Sequence, residues 1–341
     1  MLCLRIIAAL NLVDDYDVNG SRHRLPNSEA GVFLRMVKFS IMELQDLLQS
    51  PRAGRIALGI SRLLPPRVGY SLADFIADRI AKSSDTPMIK SVRVNQWVVS
   101  GQTLEGEALD YAVRETIRTI ARSFYTLFHY LKQLEEYQEL IEYSDKVKTV
   151  IANQQSDPRG LVIVGVHMSH FDLVAQSAAR SGLSAFTLSV PQPNDAIEWQ
   201  HEIRRRSGIE IVPATISNIR DTINRLKAGE AVLTGLDHPV SDPIYQPRFF
   251  GYPAHVPVHH IQLAVKARVP IIVFAAREHP DRRISVDCSD YIEMEEYPNR
   301  NTTIINNAEN ILNIAEDFIQ RAPQQWIILQ PVWPELTPLV P

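Results

Sequence analysis

A histidine followed five residues later by an aspartate is the pair in this sequence best suited to proton transfer. His167 ends an apolar run, Leu161 to Val166, and the turn signal Asp157-Pro158-Arg159-Gly160 precedes that run, so the pattern predicts a buried strand. Ser169 can cap a following helix, and Asp172 has the spacing of a capping-box acid. The segment therefore predicts a strand, a short turn and the start of a helix.

This arrangement would let the two side chains meet. On one continuous helix they would lie roughly 140° apart, so His167 must precede the helix for Asp172 to reach it. Sites in open α/β sheets form at the carboxyl ends of strands. A carboxylate on one imidazole nitrogen makes the other nitrogen a better base near pH 7. We expect a pair that deprotonates a hydroxyl; the alternative is a helix cap beside a histidine with only a structural role.

The composition restricts the class of protein. The chain has 341 residues, 35 Lys+Arg against 39 Asp+Glu, and 45% hydrophobic residues, which argues against disorder and against nucleic-acid binding. Its two cysteines, Cys3 and Cys288, fit a reducing compartment. No run of 18 uncharged apolar residues predicts a membrane-spanning helix, and the amino terminus is a poor signal peptide. These features predict a cytosolic protein.

The sequence predicts a poorly ordered lead-in (1–30), an amphipathic helical segment (31–83) and an α/β domain (84–341). Within the second part, residues 51–70 carry four arginines among isoleucines and leucines and no acid. That mixture is typical of a segment lying on an anionic membrane surface. The alternative is an amphipathic helix packed on its own domain.

The α/β domain follows from alternating patterns. Pro65-Pro66 predicts a helix start, with Leu72, Phe75, Ile76 and Ile80 on its apolar face, and a long helix is predicted from Leu104 to Leu134. The predicted strands are Leu161 to Val166, Ala185 to Val190, Ile209 to Val212, Glu230 to Leu236 and Val269 to Ala275, with helices at Asn194 to Arg206 and Ile216 to Lys227. Strands alternating with helices predict a largely parallel mixed sheet flanked by helices. Phosphate-binding loops of the GxGxxG and GxxxxGK[ST] types are absent from the sequence.

Three further stretches carry chemical groups. Arg204 belongs to a run of three arginines that could hold a phosphate or favour a helix carboxyl end. Asp237 stands where another predicted strand ends. Phe249-Phe250-Gly251 combines a turn glycine with two rings that could flank an acyl chain or simply pack in the core.

The His-x-Ser-x-x-Asp spacing resembles the His-x-x-x-x-Asp/Glu signature of the lysophospholipid acyltransferase superfamily. The resemblance is closest to the bacterial lipid A lauroyl/myristoyl acyltransferase branch, which also contains phosphatidylinositol mannoside acyltransferases. It covers approximately Gly54 to Trp333 and uses further segments: Arg93-x-Asn95, Arg204-x-x-x-Gly208, Asp237, Phe249-Phe250-Gly251 and Pro323-x-Gln325-Trp326. The sequence departs from the branch in having Asp172 for the usual Glu, His238 where a basic residue often follows the acid, and no amino-terminal membrane anchor.

The resemblance implies an O-acyltransferase at the cytoplasmic face of the cell inner membrane. It would move a fatty acyl group from acyl-CoA or acyl-carrier protein to a hydroxyl of a membrane glycolipid or lysolipid. His167 would be the general base and Asp172 would orient it, with no metal or redox cofactor. The predicted substrate-binding residues are Ser169, Arg204, Asp237, Phe249, Phe250 and Gly251.

Three alternatives stay open on the sequence alone. His170, His255, His259 and His260, with Asp172 and His167, supply enough ligands for a metal-dependent hydrolase, although Pro257 interrupts their spacing. The same His/Asp pair could activate water and release fatty acid. A non-catalytic lipid-binding protein could also retain this fold.

Overall fold

The computed structural model describes residues 61, 63–131, 133–156, 159–189, 193 and 195–341. They belong to the larger of two contact units of the chain, Gln49–Pro341. The lead-in predicted for 1–30 and most of the segment predicted for 31–83 lie outside the described residues.

A seven-stranded sheet organises the fold. Its strands are β1 (Ile141–Tyr143), β2 (Leu161–Gly165), β3 (Phe186–Ser189), β4 (Glu210–Pro213), β5 (Ala231–Gly235), β8 (Ile271–Glu278) and β9 (Ile284–Cys288), in the order β1-β9-β8-β2-β5-β3-β4. The five strands from β8 to β4 are parallel, whereas β9 is antiparallel to β8 and carries β1 beside it. A separate hairpin joins β6 (Arg248–Phe249) to β7 (Tyr252–Pro253). The predicted α/β class and largely parallel mixed sheet are confirmed.

Helices precede the sheet, connect its strands and follow it. They are α1 (Pro66–Ala81), α2 (Pro87–Val99), α3 (Gly106–Tyr130), α4 (Leu134–Gln138), α5 (Asp145–Ser156), α6 (Phe171–Arg180), α7 (Asp195–Arg206), α8 (Ile216–Lys227), α9 (His259–Ala267) and α10 (Arg300–Gln320), with 3-10 turns at Pro323–Gln325 and Pro334–Leu339. Helix α8 has the predicted bounds, and α3 is shorter at both ends than its apolar pattern indicates.

Strand β2 lies at the middle of the sheet because both of its neighbours are parallel and both of its faces are buried. Its four residues from Leu161 to Val164 are at most 1% exposed. Gly165 is in register with Gly235 of β5 and Phe274 of β8. The chain therefore leaves β2 and β5 at the same sheet edge, side by side.

One sheet face packs against α4, α5 and α6, which close a core with alternate residues of β2, β8 and β9. The other face packs against α9 and α10. Sequence periodicity did not predict β1, β9 or the β6–β7 hairpin. Strands β1, β6 and β7 have only two or three residues, and β9 is antiparallel to β8.

The amino-terminal helices are tied to the body through α1 and α3. Asp74 and Asp78 on α1 each receive two hydrogen bonds from an arginine of α3, Arg122 and Arg118 respectively. Gly69 permits the close crossing, because a Cβ there would lie 2.1 Å from the Tyr125 ring. Phe75, predicted to face inward, is 37% exposed, since the buried face of α1 consists of Gly69, Ala73, Ala77 and Ile80.

Among the residues described from 61 onward, no helix is both long and apolar enough to cross a bilayer.

Candidate active site

His167 is hydrogen-bonded to Asp237. The imidazole Nδ1 lies 2.5 Å from one carboxylate oxygen, and the backbone N–H of His167 donates to the other oxygen at 2.9 Å. The two residues each lie two positions beyond the paired glycines Gly165 and Gly235, so adjacent parallel strands bring them together. Gly235 also leaves room for the ring, because a Cβ there would lie 2.4 Å from His167 Cε1.

The carboxylate of Asp237 is sealed from solvent and heavily hydrogen-bonded. Its side chain is fully buried, and the indole N–H of Trp326 donates to Oδ2 at 2.7 Å. Burial alone would raise the pKa of Asp237, but the charge of His167 and the hydrogen bonds from His167 and Trp326 outweigh burial and lower that pKa. Asp237 is thus an ionised acceptor that fixes the Nδ1–H tautomer of His167.

The opposite edge of the His167 ring remains accessible. The side chain is 19% exposed, and Nε2 has no hydrogen-bond partner among the described residues. Phe171 packs edge-on against the ring at 4.7 Å between centroids, and the exposed His238 lies 5.9 Å away. Nε2 is therefore free to exchange a proton with a bound molecule.

Asp172 is not the partner of His167. Both of its carboxylate oxygens accept hydrogen bonds from Arg204, from Nε at 2.9 Å and from a terminal nitrogen at 3.2 Å. Asp172 lies in the first turn of α6 and Arg204 in the last turn of α7, so this pair ties two helices that leave the same sheet edge. The expected orienting contact fails because Asp237, from the neighbouring strand, already occupies Nδ1.

Ser169 does not cap α6. Its side chain is completely buried, and its hydroxyl donates to the amide oxygen of Gln325 at 2.8 Å. The cap residue is His170, in the left-handed conformation with φ 63° and no side-chain capping bond. Gln325 also bonds both backbone groups of Glu278 at 2.8 Å. Ser169 thus fixes the turn after His167 to the carboxyl-terminal segment, and its burial leaves no surface for substrate.

The absence of a capping side chain leaves donors at the start of α6. The backbone N–H groups of Asp172 and Leu173 have no acceptor among the described residues. They stand next to Phe171, whose ring touches His167. The positive end of the α6 dipole reinforces these donors.

A second histidine pair lies directly below the turn. His170 Nε2 is 3.2 Å from a Glu278 oxygen, Arg282 donates to the other oxygen at 2.7 Å, and the His170 side chain is 2% exposed. Burial would raise the pKa of Glu278, but His170 and Arg282 lower it to about 2. Nδ1 of His170 is buried without a partner, so this ring has no open nitrogen.

The two phenylalanines have different environments. Phe249 is fully buried among Trp326 and Trp333, which supports the core-packing interpretation for that ring. Phe250 is partly exposed, and Phe250 and Gly251 both have positive φ, 50° and 80°, in the β6–β7 turn. The glycine therefore serves the turn that the sequence predicts.

The histidines proposed as metal ligands are dispersed. His255 pairs with Glu335 at 2.8 Å, His259 bonds Thr234 at 2.8 Å, and both ring nitrogens of the buried His260 lack partners. Over the part of the chain that the structure describes, no three His, Cys, Asp or Glu side chains converge as ligands.

The roles of Gly235, Gln325 and Trp326 were not predicted from the sequence. The pairing of His167 with Asp237 had a usable signal, since both residues follow predicted parallel strands at their carboxyl ends. The Gln325-Trp326 contacts lacked one, because they join residues about 90 to 160 positions apart.

No curated protein matches this chain. A family model for bacterial lipid A biosynthesis acyltransferases matches residues 46–335, a span that contains the whole sheet, the His167–Asp237 pair, Arg204 and Trp326. The chain thus belongs to the bacterial lipid A biosynthesis acyltransferase family.

Proposed function

We propose that this protein transfers a fatty acyl group from an acyl-CoA or acyl-carrier-protein thioester to a hydroxyl of a membrane glycolipid or lysolipid. The observation that carries this proposal is the asymmetry of His167, whose Nδ1 is bound by a buried carboxylate while Nε2 is open. The family match supports an acyl donor and a lipid A-like acceptor.

The reaction needs one residue to move the proton. His167 Nε2 takes the proton of the acceptor hydroxyl as the hydroxyl oxygen attacks the thioester carbonyl carbon. The tetrahedral intermediate then collapses, the carbon–sulfur bond breaks, and the imidazolium returns the proton to the departing thiolate. Ester and thiol are the products, and Asp237 stabilises the imidazolium between the two steps.

Negative charge on the carbonyl oxygen requires donors. The unpaired N–H groups of Asp172 and Leu173 at the start of α6 are suited to this role, because they are fixed and need no reorganisation. Removal of one such donor typically costs about 10²–10³ in rate.

Arg204 and Asp172 act as a positioning pair in this proposal. Their bidentate contact joins the start of α6 to the end of α7, and Arg204 is 20% exposed, so one edge of the guanidinium can still meet a substrate phosphate. Phosphate contact and helix positioning are compatible roles for the same side chain.

Membrane contact is proposed through α1. Its outward stripe carries Arg67, Phe75, Arg79 and, at the helix cap, Lys82, and all four are exposed. None of the three cations has a carboxylate within 4 Å among the described residues, and Arg79 lies 5.7 Å from the Phe75 ring. Each such cation contributes about 1 kcal/mol of attraction to an anionic surface. We place this stripe against the cytoplasmic leaflet.

Labelled acyl-CoA incubated with bacterial membranes and the purified chain tests the reaction. Wild-type protein is expected to label a glycolipid or lysolipid, and His167→Ala to lose this labelling. Label that appears only as free fatty acid in a wild-type, His167-dependent reaction would instead identify a hydrolase. Equal labelling by both proteins would remove His167 as the base.

Vesicle co-sedimentation tests the membrane surface separately. A variant with Arg67→Gln, Arg79→Gln and Lys82→Gln is expected to bind phosphatidylglycerol vesicles less than the wild type, with neutral vesicles unaffected. Arg220→Gln, an exposed cation on α8, is the matched control. Equal binding by all three proteins would remove α1 from the proposal.

A further inference from the structure

An open pocket of about 340 Å³ lies at the β1 side of the sheet, lined by β1, β9, β8 and the end of α10. None of the residues that contact His167 or Asp237 lines it. The pocket is therefore separate from the His167–Asp237 pair.

The strand register shows which side chains form the floor of this pocket. Arg277 is opposite Ser285, Ala275 is opposite Asp287, and Glu142 of β1 lies beside Ser285. Residues in register point to the same sheet face, so these five side chains share one face. The intervening residues, among them Ala276 and Val286, face the opposite core, and the small side chain of Ala275 leaves space on the pocket floor.

Charge in the pocket is unevenly neutralised. Glu142 forms an ion pair with Arg283 at 2.5 Å, and the hydroxyl of Ser285 is bonded to His279. Arg277 on the floor and Arg321 on the wall have no carboxylate within 4 Å in the part of the chain that is described.

The remaining lining groups bear on the same charge balance. Asp287 accepts only the backbone N–H of Cys288 among the described residues, and the Arg321 guanidinium lies 5.2 Å from the Phe318 ring. Among the described residues, the pocket lining thus contains two arginines without a carboxylate partner, Arg277 and Arg321, and one unpaired acid, Asp287. An anionic ligand that binds here gains more from the two arginines than it loses by repulsion from Asp287.

We propose that this pocket binds the phosphate group of a monoester or of inorganic phosphate between Arg277 and Arg321. The fork of each guanidinium matches phosphate oxygens in pairs, whereas a carboxylate ligand has too few oxygens to engage both arginines bidentately. Phosphate binding here does not depend on His167 or Asp237, since neither residue lines the pocket. Free phosphate and the phosphate end of a thioester donor share this chemistry.

Calorimetric titration of the full chain with inorganic phosphate, against sodium chloride of equal ionic strength, tests the site. Saturable binding is expected, weakened about tenfold in Arg277→Gln and in Arg321→Gln and unchanged in Arg220→Gln. Asp287→Asn is expected to tighten binding, because it removes the only opposing charge. Thermal unfolding midpoints show whether each variant is folded. If Arg277→Gln does not fold, Arg321→Gln alone tests the site, because Arg321 is exposed.

The same variants titrated with CoA separate the sources of phosphate. CoA binding that falls with the phosphate binding would assign the pocket to a thioester donor, and CoA binding that is unchanged would assign it to free phosphate. His167→Ala should bind phosphate as the wild type does, so failure of the proposed reaction leaves this result intact. An unsaturable titration, or one insensitive to both arginine variants, would overturn the proposal.

Discussion

His167 and His170 lie three residues apart on the same turn, and each places one ring nitrogen on a shielded carboxylate. His167 uses Nδ1 for Asp237 and leaves Nε2 open, with 19% of its side chain exposed. His170 uses Nε2 for Glu278 and buries Nδ1, with 2% exposed. A carboxylate partner is therefore common to both histidines, and access to the second nitrogen distinguishes the proposed base from the structural residue.

The two carboxylates also differ in the charge of their hydrogen-bond donors. Asp237 receives hydrogen bonds from two neutral donors besides the imidazole, whereas Glu278 also meets the cation Arg282. The negative charge of Asp237 is therefore available to stabilise a developing imidazolium, whereas the charge of Glu278 is already neutralised by Arg282. The following variants separate the two pairs.

Asp237→Asn is expected to have the largest effect, because the amide can neither stabilise the imidazolium nor hold the required tautomer. The rate of acyl transfer should fall on the order of 10³–10⁴, with the fold retained. Initial rates with labelled thioester and circular dichroism measure both. A variant of near wild-type rate would assign His167 a different partner during catalysis.

Asp172→Asn tests the carboxylate that sequence spacing favoured. Because Asp172 contacts Arg204 and not His167, the expected loss is about 10–10² in rate, through displacement of the α6 start. Arg204→Gln should produce a similar loss, since it breaks the same contact. A loss for Asp172→Asn that equals that of Asp237→Asn would mean that Asp172 moves onto His167 in the substrate complex.

Trp326→Phe removes one hydrogen bond from Asp237 and keeps an aromatic ring. We expect kcat/KM to fall about tenfold, as one charge-assisted hydrogen bond is lost. Trp333→Phe is a matched control, because the Trp333 side chain is equally buried, stacks nearby and has an indole N–H without a partner. Equal effects of the two substitutions would indicate packing alone.

Glu278→Gln should act on stability with little change in activity per folded molecule. Since the pKa of Glu278 is lowered from 4.5 to about 2, its contribution is full above pH 4.5 and is lost as the pH falls toward 2. The contribution corresponds to about 3 kcal/mol of the free energy of unfolding. Urea unfolding of wild type and variant should differ near neutrality and converge in acid; a constant difference would contradict the assignment.

Sequence periodicity was sufficient for most of the sheet. The buried run of β2, the helix α8 and the alternation through β5 are local patterns, so they predicted the parallel core and the position of His167. Strand β1 has only three residues, too few for a periodic pattern. Strand β9 alternates apolar and polar residues, but it is antiparallel to β8 and so lies outside the alternation of parallel strands with helices. Phe75 was placed inward because small residues such as Ala73 and Ala77 are weak signals of a buried face.

The sequence predicted several residues that the structure brings near His167, and it did not predict the contacts between them. His167 and Asp237 follow adjacent strands and Asp172 begins the next helix, as their positions in the sequence indicated, whereas Arg204 joins them through its contact with Asp172. Both His167 and Asp237 follow predicted parallel strands, which places them at the same sheet edge. Spacing along the chain does not show that β5 is the neighbour of β2, so it does not identify Asp237 as the carboxylate that reaches His167. The capping prediction for Ser169 failed for the same reason, because Gln325 is remote in sequence.

The most direct test compares His167→Gln with His170→Gln in one acyl-transfer assay, with rates expressed per folded molecule. The account predicts that His167→Gln loses the rate by a factor on the order of 10³ or more, whereas His170→Gln lowers the unfolding midpoint and retains most of the rate. Retained activity in His167→Gln, or an equal loss of rate in both folded variants, would contradict the assignment of the open imidazole as the base.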